Sequence, residues 1–310
     1  MLAKLDEFSH ILRCPITGAP VRMAGDHLVA ESSEPSPSYP IVNGLPLLVD
    51  FDQSVLQPDV ARSLASSVPR PEQKGLRWLL TQLVSPPNRH TATNVLHLRT
   101  MLADKAKPRV LVIGGGTVGQ GLQTLYQDPN IEVISFDIYG SQSVQFIADA
   151  HQIPLLDGSC DAVVIQAVLE HVIDPHRVVQ EIGRVLAPQG LVYAETPFLQ
   201  HVHEGAYDFT RFTESGHRHL FRQFDVVRSG STAGAGTQLL WAIDYFVRGL
   251  TRSRALGKCM KILFFWLIHL DRFIPEPHNS DAASGVFFMG RKSNQAASPK
   301  DIIRFYRGAQ

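Results

Sequence analysis

Cysteine is scarce: Cys14, Cys160 and Cys259 are the only three in 310 residues, odd in number and far apart. They support neither a disulfide framework nor a cysteine-rich zinc site, and a reducing cytoplasm is the simplest reading. An excess of either charge is also missing. The 29 Lys and Arg are balanced by 29 Asp and Glu. Nothing therefore draws the chain as a whole toward nucleic acid or an anionic membrane, and a small-molecule substrate is the simpler expectation. Long apolar runs are absent. The longest candidate, Ile262-Leu-Phe-Phe-Trp-Leu-Ile268, falls far short of the roughly 18 residues of a membrane span and reads as a buried helix, with an interfacial or dimer-forming helix as the lesser alternative. The charged opening Met1-Leu-Ala-Lys-Leu-Asp-Glu7 does not supply the apolar stretch of a signal peptide. No internal repeat is visible. The length suffices for one large domain and a small one.

The chain is organised around Val110-Leu-Val-Ile-Gly-Gly-Gly-Thr-Val-Gly-Gln-Gly121. A β-branched run that breaks into glycines reads as a buried parallel strand entering a tight turn and a helix, with Gly114, Gly116 and Gly119 letting the backbone approach a ligand. Spacing alone is a weak signal, since such glycines often serve only a turn and close packing. The context strengthens it. Ile131 to Phe136 reads as a second strand ending in Asp137, about 20 residues on, where a carboxylate can accept both ribose hydroxyls of a nucleoside. Asp149 and Ala150 precede a further strand, Asp161 to Ile165, which runs into Gln166-Ala-Val-Leu-Glu-His-Val172. Asp174-Pro175 then starts a helix carrying Val178, Val179, Ile182, Val185 and Leu186, and Pro188-Gln-Gly190 ends it before a strand at Leu191 to Ala194. This alternation specifies an α/β fold with a doubly wound, mostly parallel sheet that binds ligands at the carboxyl ends of its strands.

Ahead of this domain, residues 1–50 read as a small module. A helical Leu5 to Leu12 leads to Cys14-Pro-Ile-Thr-Gly18, a strand near Leu28-Val29, and Tyr39-Pro-Ile-Val-Asn-Gly-Leu-Pro-Leu-Leu-Val49, where Asn43-Gly44 marks a tight turn. Leu12-Arg-Cys-Pro15 and Tyr39 to Leu48 resemble the Trm112-like zinc-ribbon family. Only Cys14 stands where that family's metal-binding members place four cysteines, so the resemblance implies a metal-free zinc-ribbon-like lid or docking surface; a simple brace on the main domain is the alternative. Residues 51–108 read as a helical connector or lid, broken at Pro58, Pro69-Arg-Pro71 and Pro86-Pro87, with apolar faces at Arg77 to Leu83 and Asn94 to Leu102.

Gly114-Gly-Gly-Thr117, Asp137, Asp149-Ala150, Leu169-Glu-His-Val172 and Arg184-Val-Leu-Ala-Pro-Gln-Gly190 together resemble the class I S-adenosylmethionine-dependent methyltransferases, over roughly residues 110–292. The resemblance implies a Rossmann-like seven-stranded sheet and S-adenosylmethionine as cofactor. It places Gly114 and Gly116 at the methionine part, Asp137 with Ile138 at the ribose, Asp149 with Ala150 at the adenine, and Gln166 beneath the sulfonium. Two departures stand out: Val112 replaces the usual acid of the first strand, and Val118 the third glycine.

Thr196-Pro-Phe-Leu-Gln-His-Val-His-Glu-Gly-Ala-Tyr-Asp-Phe-Thr-Arg-Phe-Thr213 is dense in proton-handling groups. Methyl transfer from a sulfonium is an in-line displacement, and a hydroxyl acceptor must also lose its proton. His201 or His203 suits the base, with Asp208 or Glu204 orienting the imidazole. A divalent metal on His201, His203, Glu204 and Asp208 is a lesser reading, a hydrogen-bonded structural loop a stronger one, and no metal ligand is assigned. Asp208 and Arg211 are placed to pair across the loop. His217 and His219 read as helix-surface residues, and Glu170-His171 as surface or capping groups when taken alone.

Phe221 to Val227 reads as a sixth strand and its approach, Gly285 to Lys292 as a last antiparallel one, and residues 238–272 as a helical insertion near the substrate mouth or a homodimer face. Residues 293–310 form a tail helix with its start at Ser298-Pro299. The expected function is methyl transfer to a hydroxyl of a small molecule, sugar or secondary metabolite. Three alternatives stay open: a catalytically degenerate partner-docking protein, an RNA or protein methyltransferase, and a nicotinamide-dependent oxidoreductase. The last lacks a Tyr-x-x-x-Lys pair, and an Asn-Pro-Pro-Tyr type amino-group motif is missing where Gln166 to Leu169 stands.

Overall fold

The structure, a computed structural model, describes residues 2–32, 36–65 and 89–310. The apolar face expected over Arg77 to Leu83 lies outside the described residues. Eleven strands form one sheet: β1 Val21–Ala24, β2 His27–Ala30, β3 Ser38–Val42, β4 Leu45–Leu48, β5 Arg109–Ile113, β6 Glu132–Asp137, β7 Phe146–Ala148, β8 Cys160–Gln166, β9 Leu186–Pro197, β10 Phe224–Ala233 and β11 Gly285–Lys292. Their order is β1-β2-β3-β4-β7-β6-β5-β8-β9-β11-β10. The seven strands from β7 to β10 are the doubly wound unit, with the reversal of winding between β5 and β8. The expectation of a seven-stranded sheet is corrected here. The N-terminal hairpins add four strands to its edge, because β4 pairs in parallel with β7 through Leu47–Ile147 and Leu48–Ala148.

Strict alternation explains why the central strands are buried on both faces. Leu111 and Ile113 point to one side, with Ile134, Phe136, Val163 and Ile165, where helix α5 (Pro175–Val185) lays Val178, Val179, Ile182 and Val185. Val110 and Val112 point to the other, with Val133, Ala162 and Val164, under Val95, Leu98 and Leu102 of helix α3 (Arg89–Leu102). Each such side chain taken from water contributes about 1.5–3 kcal/mol. Val112 thus fills an apolar layer against α3. As expected, Asp174 caps α5, its Oδ1 accepting the Arg177 N–H at 3.1 Å, with Pro175 in the first turn.

The N-terminal segment shares this core: Phe8, Leu12, Cys14, Leu28 and Tyr39 belong to the same cluster as Phe136 and Phe146. The Cys14 thiol lies 2.9 Å from the Tyr39 hydroxyl and accepts the Thr17 N–H at 3.2 Å. Asn43 and Gly44 turn the β3–β4 hairpin with φ of 52° and 81°, the left-handed pair of a type I′ turn. Pro58 opens helix α2 (Pro58–Ala65) instead of breaking one, as its missing N–H allows at a first turn.

The insertion folds as helix α7 (Ala235–Thr251), helix α8 (Arg254–Leu263) and a 3-10 segment, Phe265–Phe273. The buried helix expected over Ile262 to Ile268 is corrected: α8 ends at Leu263, and Leu263 and Trp266 are exposed while Leu267 is buried. Among the described residues no helix is long and apolar enough to cross a membrane. The tail helix, Pro299–Arg304, starts at a Ser298/Asp301 capping box.

Candidate functional site

The glycine loop leaves β5 and folds back over the end of β6, where the N–H groups of Gly114 and Gly115 both donate to Phe136 O at 3.0 Å. Gly114 holds φ +76°, and a Cβ there would stand 2.2 Å from Val168 Cγ2. At Gly116 the same atom would stand 2.3 Å from the Tyr139 ring, and at Gly119 1.9 Å from Gln166 Oε1. The loop is therefore cradled by side chains: a Cβ at Gly114 or Gly116 would require Val168 or Tyr139 to shift, while at Gly119 only the flexible end of Gln166 would have to move. Asp137 closes the cradle: Oδ2 accepts the Gly116 N–H at 2.8 Å and Oδ1 the Ile138 N–H at 2.7 Å.

Asp149, the residue that follows β7, is engaged elsewhere. Its Oδ1 accepts the His151 N–H at 2.9 Å and lies 2.6 Å from His151 Nδ1, while Oδ2 accepts the Ser54 hydroxyl at 2.5 Å. Burial alone would raise its pKa, but these hydrogen bonds hold it below the ordinary carboxylate value. Ala150 is buried beside it in a short 3-10 turn. The Gln166 amide donates to Glu195 Oε2 at 2.7 Å. Glu195, at the end of β9, also accepts the hydroxyls of Thr91 at 2.5 Å and of Tyr193. This buried carboxylate ties α3 to the strand ends, and the sequence reading missed it; a glutamate inside the apolar run Leu191 to Pro197 was the available signal.

From Gln166 the chain reaches a second cluster. Ala167 holds φ +55°, Val168 packs on Gly114, and Glu170 follows two residues later, within about 7 Å of chain. Glu170 is 1% exposed. It is neither a surface nor a capping group: its Oε2 has no hydrogen-bond partner, and burial pushes its pKa up to about 8. His171 Nδ1 lies 2.7 Å from the Tyr207 carbonyl oxygen, which only accepts, so Nδ1 carries the proton. His203 Nε2 stands 3.1 Å from His171 Nε2, and the two lie 3.8 and 3.7 Å from Glu170 Oε1. Burial, then the neighbouring His203, holds the His171 pKa below its ordinary value.

The loop supplying His203 is clamped from two sides. Asp208 accepts the His203 N–H at 3.0 Å and lies 3.4 Å from its Nδ1. Arg211 pairs with both oxygens of Asp208, through Nη2 at 2.7 Å and through Nη1, and chiefly this hydrogen bonding lowers the Asp208 pKa to about 2. Arg211 also donates to the carbonyls of Gln200 at 2.9 Å and His201 at 3.3 Å. From α7, Tyr245 donates to Val202 O at 2.8 Å and Gln238 to Leu199 O at 2.7 Å. The structure thus brings His203 and Asp208 together. His201 is set apart, stacked on Tyr245 at 4.2 Å with its Nδ1 unpartnered, and Glu204 is exposed. His219 is exposed as expected, whereas His217 is corrected to a buried residue on helix α6 (Glu214–Leu220), its ring 5.0 Å from Phe221.

A doubly wound sheet with a glycine cradle and an acid at the end of the next strand defines a nucleoside-cofactor α/β domain. Residues 112–194 match the methyltransferase domain family. This segment is a class I S-adenosylmethionine-dependent methyltransferase domain, and S-adenosylmethionine is its cofactor. Uncharacterized methyltransferases of Mycobacterium bovis and Mycobacterium tuberculosis are each 37% identical over 99 residues, which are 29% of this chain and 40% of theirs. The chain thus matches well under half the length of these relatives. Among solved structures, Haemonchus contortus phosphoethanolamine N-methyltransferase 2 with S-adenosyl-L-methionine has a TM-score of 0.44 at 14% identity, over 88% of this chain and 71% of that one. The YcgJ protein of Bacillus subtilis has a TM-score of 0.40 at 16% identity, over 66% and 99%.

Proposed function

We propose that the protein transfers the methyl group of S-adenosylmethionine to a hydroxyl of a small-molecule, sugar or secondary-metabolite acceptor. The observation that carries this reading is the run Gln166 to His171, which joins a glycine cradle at one end to a histidine–carboxylate cluster at the other. Gly114 and Gly116 would hold the methionine part, Asp137 and Ile138 the ribose, and Gln166 the region of the sulfonium. Asp149 and Ala150 would meet the adenine on condition that Asp149 gives up its hydrogen bond from Ser54. When bound, the cofactor supplies an electrophilic methyl group. His203, with Asp208 3.4 Å from its Nδ1, would take the acceptor's proton, and His201 is the second candidate base. Asp208, held by Arg211, fixes the imidazole and with it the direction of proton transfer.

The engagement of Asp149 by Ser54 and His151, and the apolar Val112, favour one second reading: a domain that keeps the fold and docks a partner without turnover. The division into residues 1–50, 51–108, 109–292 and 293–310, the Trm112-like descent of the first part and a cytoplasmic location belong to the same proposal; the last is supported by three free cysteines. A homodimer is supported by the exposed Phe246, Leu250, Leu263, Trp266 and Phe273 of the insertion, and light scattering of the purified protein reads it directly. Calorimetric titration with S-adenosylmethionine, S-adenosylhomocysteine and NAD(H) tests the central claim. Micromolar binding of both adenosyl ligands, lost in Asp137→Ala, followed by turnover of hydroxylated acceptors that His203→Ala abolishes, is the expected result. Binding of NAD(H) alone overturns it, and adenosyl binding without turnover on any acceptor moves the docking reading to the front.

A further inference from the structure

We infer that Glu170, His171 and His203 form a three-ligand site for a borderline divalent metal ion of the zinc type, with a coordination position left for a substrate oxygen. The three side chains offer two imidazole nitrogens and a carboxylate oxygen, all within 4.8 Å of one another. The separations, 3.1 Å between the two Nε2 atoms and 3.7 and 3.8 Å to Glu170 Oε1, bracket the ~3.4 Å between ligands set about 2.1 Å from a tetrahedral ion.

Proton placement argues the same way. The Nδ1 of His171 faces the Tyr207 carbonyl, and the Nδ1 of His203 faces the His201 carbonyl at 3.4 Å and the Asp208 carboxylate at 3.4 Å. All three partners are acceptors, so each Nδ1 is the donor, and a ring that is neutral in this tautomer turns the lone pair of Nε2 inward. Two neutral rings so turned put their lone pairs face to face at 3.1 Å, a contact that either a shared proton or a metal ion between them relieves. A metal-bound histidine commonly donates its other ring nitrogen to a carbonyl or carboxylate in this manner, which fixes the ring and makes it the better ligand. Glu170 adds an independent sign: it is buried, its Oε1 faces the two imidazoles, and its other oxygen, Oε2, has no hydrogen-bond partner. Two nitrogens and one oxygen suit zinc and its first-row neighbours better than calcium or magnesium, and three protein ligands mark a site built to take a fourth from solvent or substrate.

Metal binding stands independently of methyl transfer; the use of the ion rests on the reading above. An acceptor hydroxyl taking the open position would be acidified and lose its proton to solvent. Its oxygen would then form the new bond to the methyl carbon while the carbon–sulfur bond breaks and its electron pair stays on sulfur. His203 would in that case act as a ligand in place of a base.

The full-length protein is stripped with a chelator, dialysed, and titrated with Zn²⁺ by calorimetry and with Co²⁺ by visible absorption. We expect one equivalent bound with micromolar or tighter affinity. His203→Ala, on the exposed loop, and Glu170→Gln should each weaken it at least 100-fold, and Asp208→Asn about 10-fold through the ring it orients. Circular dichroism of each variant separates loss of the site from loss of the fold. No stoichiometric binding, or equal affinity in His203→Ala and the wild type, overturns the inference. S-adenosylhomocysteine is titrated into the same samples. Its binding without metal binding sinks the metal site alone, and metal binding without it sinks the methyltransferase reading alone.

Discussion

The carboxylate of Asp137 accepts the backbone N–H of Gly116 at 2.8 Å, so the acid that we propose binds the ribose also shapes the glycine loop. Asp137→Asn removes the charge and leaves one acceptor oxygen for the two backbone N–H groups, of Gly116 and Ile138, that the carboxylate serves. Charge-assisted hydrogen bonds contribute about 1.5–3 kcal/mol, so affinity for S-adenosylhomocysteine should fall roughly 10- to 100-fold, with a smaller loss of stability from the one amide left without its acceptor. Calorimetry beside thermal unfolding separates the two duties. Equal losses of affinity and stability would make Asp137 a structural tie only.

Gly114 is constrained twice over, by φ +76° and by Val168 Cγ2 at 2.2 Å from the place of a Cβ. Gly114→Ala should cost about 1–2 kcal/mol for the left-handed backbone and another 1–3 kcal/mol for overpacking. Only the second contribution is relieved by Val168→Ala. A double-mutant cycle in urea should therefore show partial rescue. Complete rescue would mean the backbone term is negligible, and no rescue would mean that Val168 does not press on the loop.

The parts of the molecule that were legible in the sequence are those set by local chemistry. The continuous apolar run Val110 to Ile113, the Asn43-Gly44 turn and the Asp174 cap each fix their own surroundings, and the structure places them accordingly. Arg184 shows why a motif far from the glycines travels with them: its guanidinium donates to the carbonyls of Ile153 and Leu155, both at 2.7 Å, and so holds the loop after Asp149. Long-range events left less trace. The edge pairing of β4 with β7 depends on Leu47 meeting Ile147, which no local pattern announces. The convergence of Glu170 with His203 likewise depends on how a loop 30 residues downstream is folded back by Arg211, Gln238 and Tyr245. Glu170 and His171 alone looked like ordinary polar residues, whereas His203 already stood out as a candidate base.

His217 lies among Phe212, Phe221 and Phe288 with its Nε2 unpartnered, and burial lowers its pKa to about 3. The unfolded chain binds this proton below about pH 6.5, whereas the folded protein does so only near pH 3. Between those values the unfolded state holds more protons, so stability falls as the pH is lowered, by up to about 1.4 kcal/mol per unit from this group. His217→Phe should flatten the curve between pH 6.5 and 5, where carboxylates contribute little. Parallel urea midpoints for the two proteins across that window check it, and identical slopes would show that His217 is not the group.

Glu170 also sets function against stability. A buried carboxylate with an unpartnered oxygen costs about 1–3 kcal/mol relative to a group that needs no partner, and replacing buried charges by apolar residues of similar volume is often stabilising. Glu170→Met should therefore raise the urea midpoint of the chelator-treated protein. The order should reverse once zinc is supplied, because a ligand that binds only the folded wild type adds about 2.7 kcal/mol at 100 times its Kd, while the variant, lacking one ligand, gains far less. A Glu170→Met variant less stable than the wild type under both conditions would show that the carboxylate braces the His171–His203 loop by itself. Its burial would then need no metal to explain it.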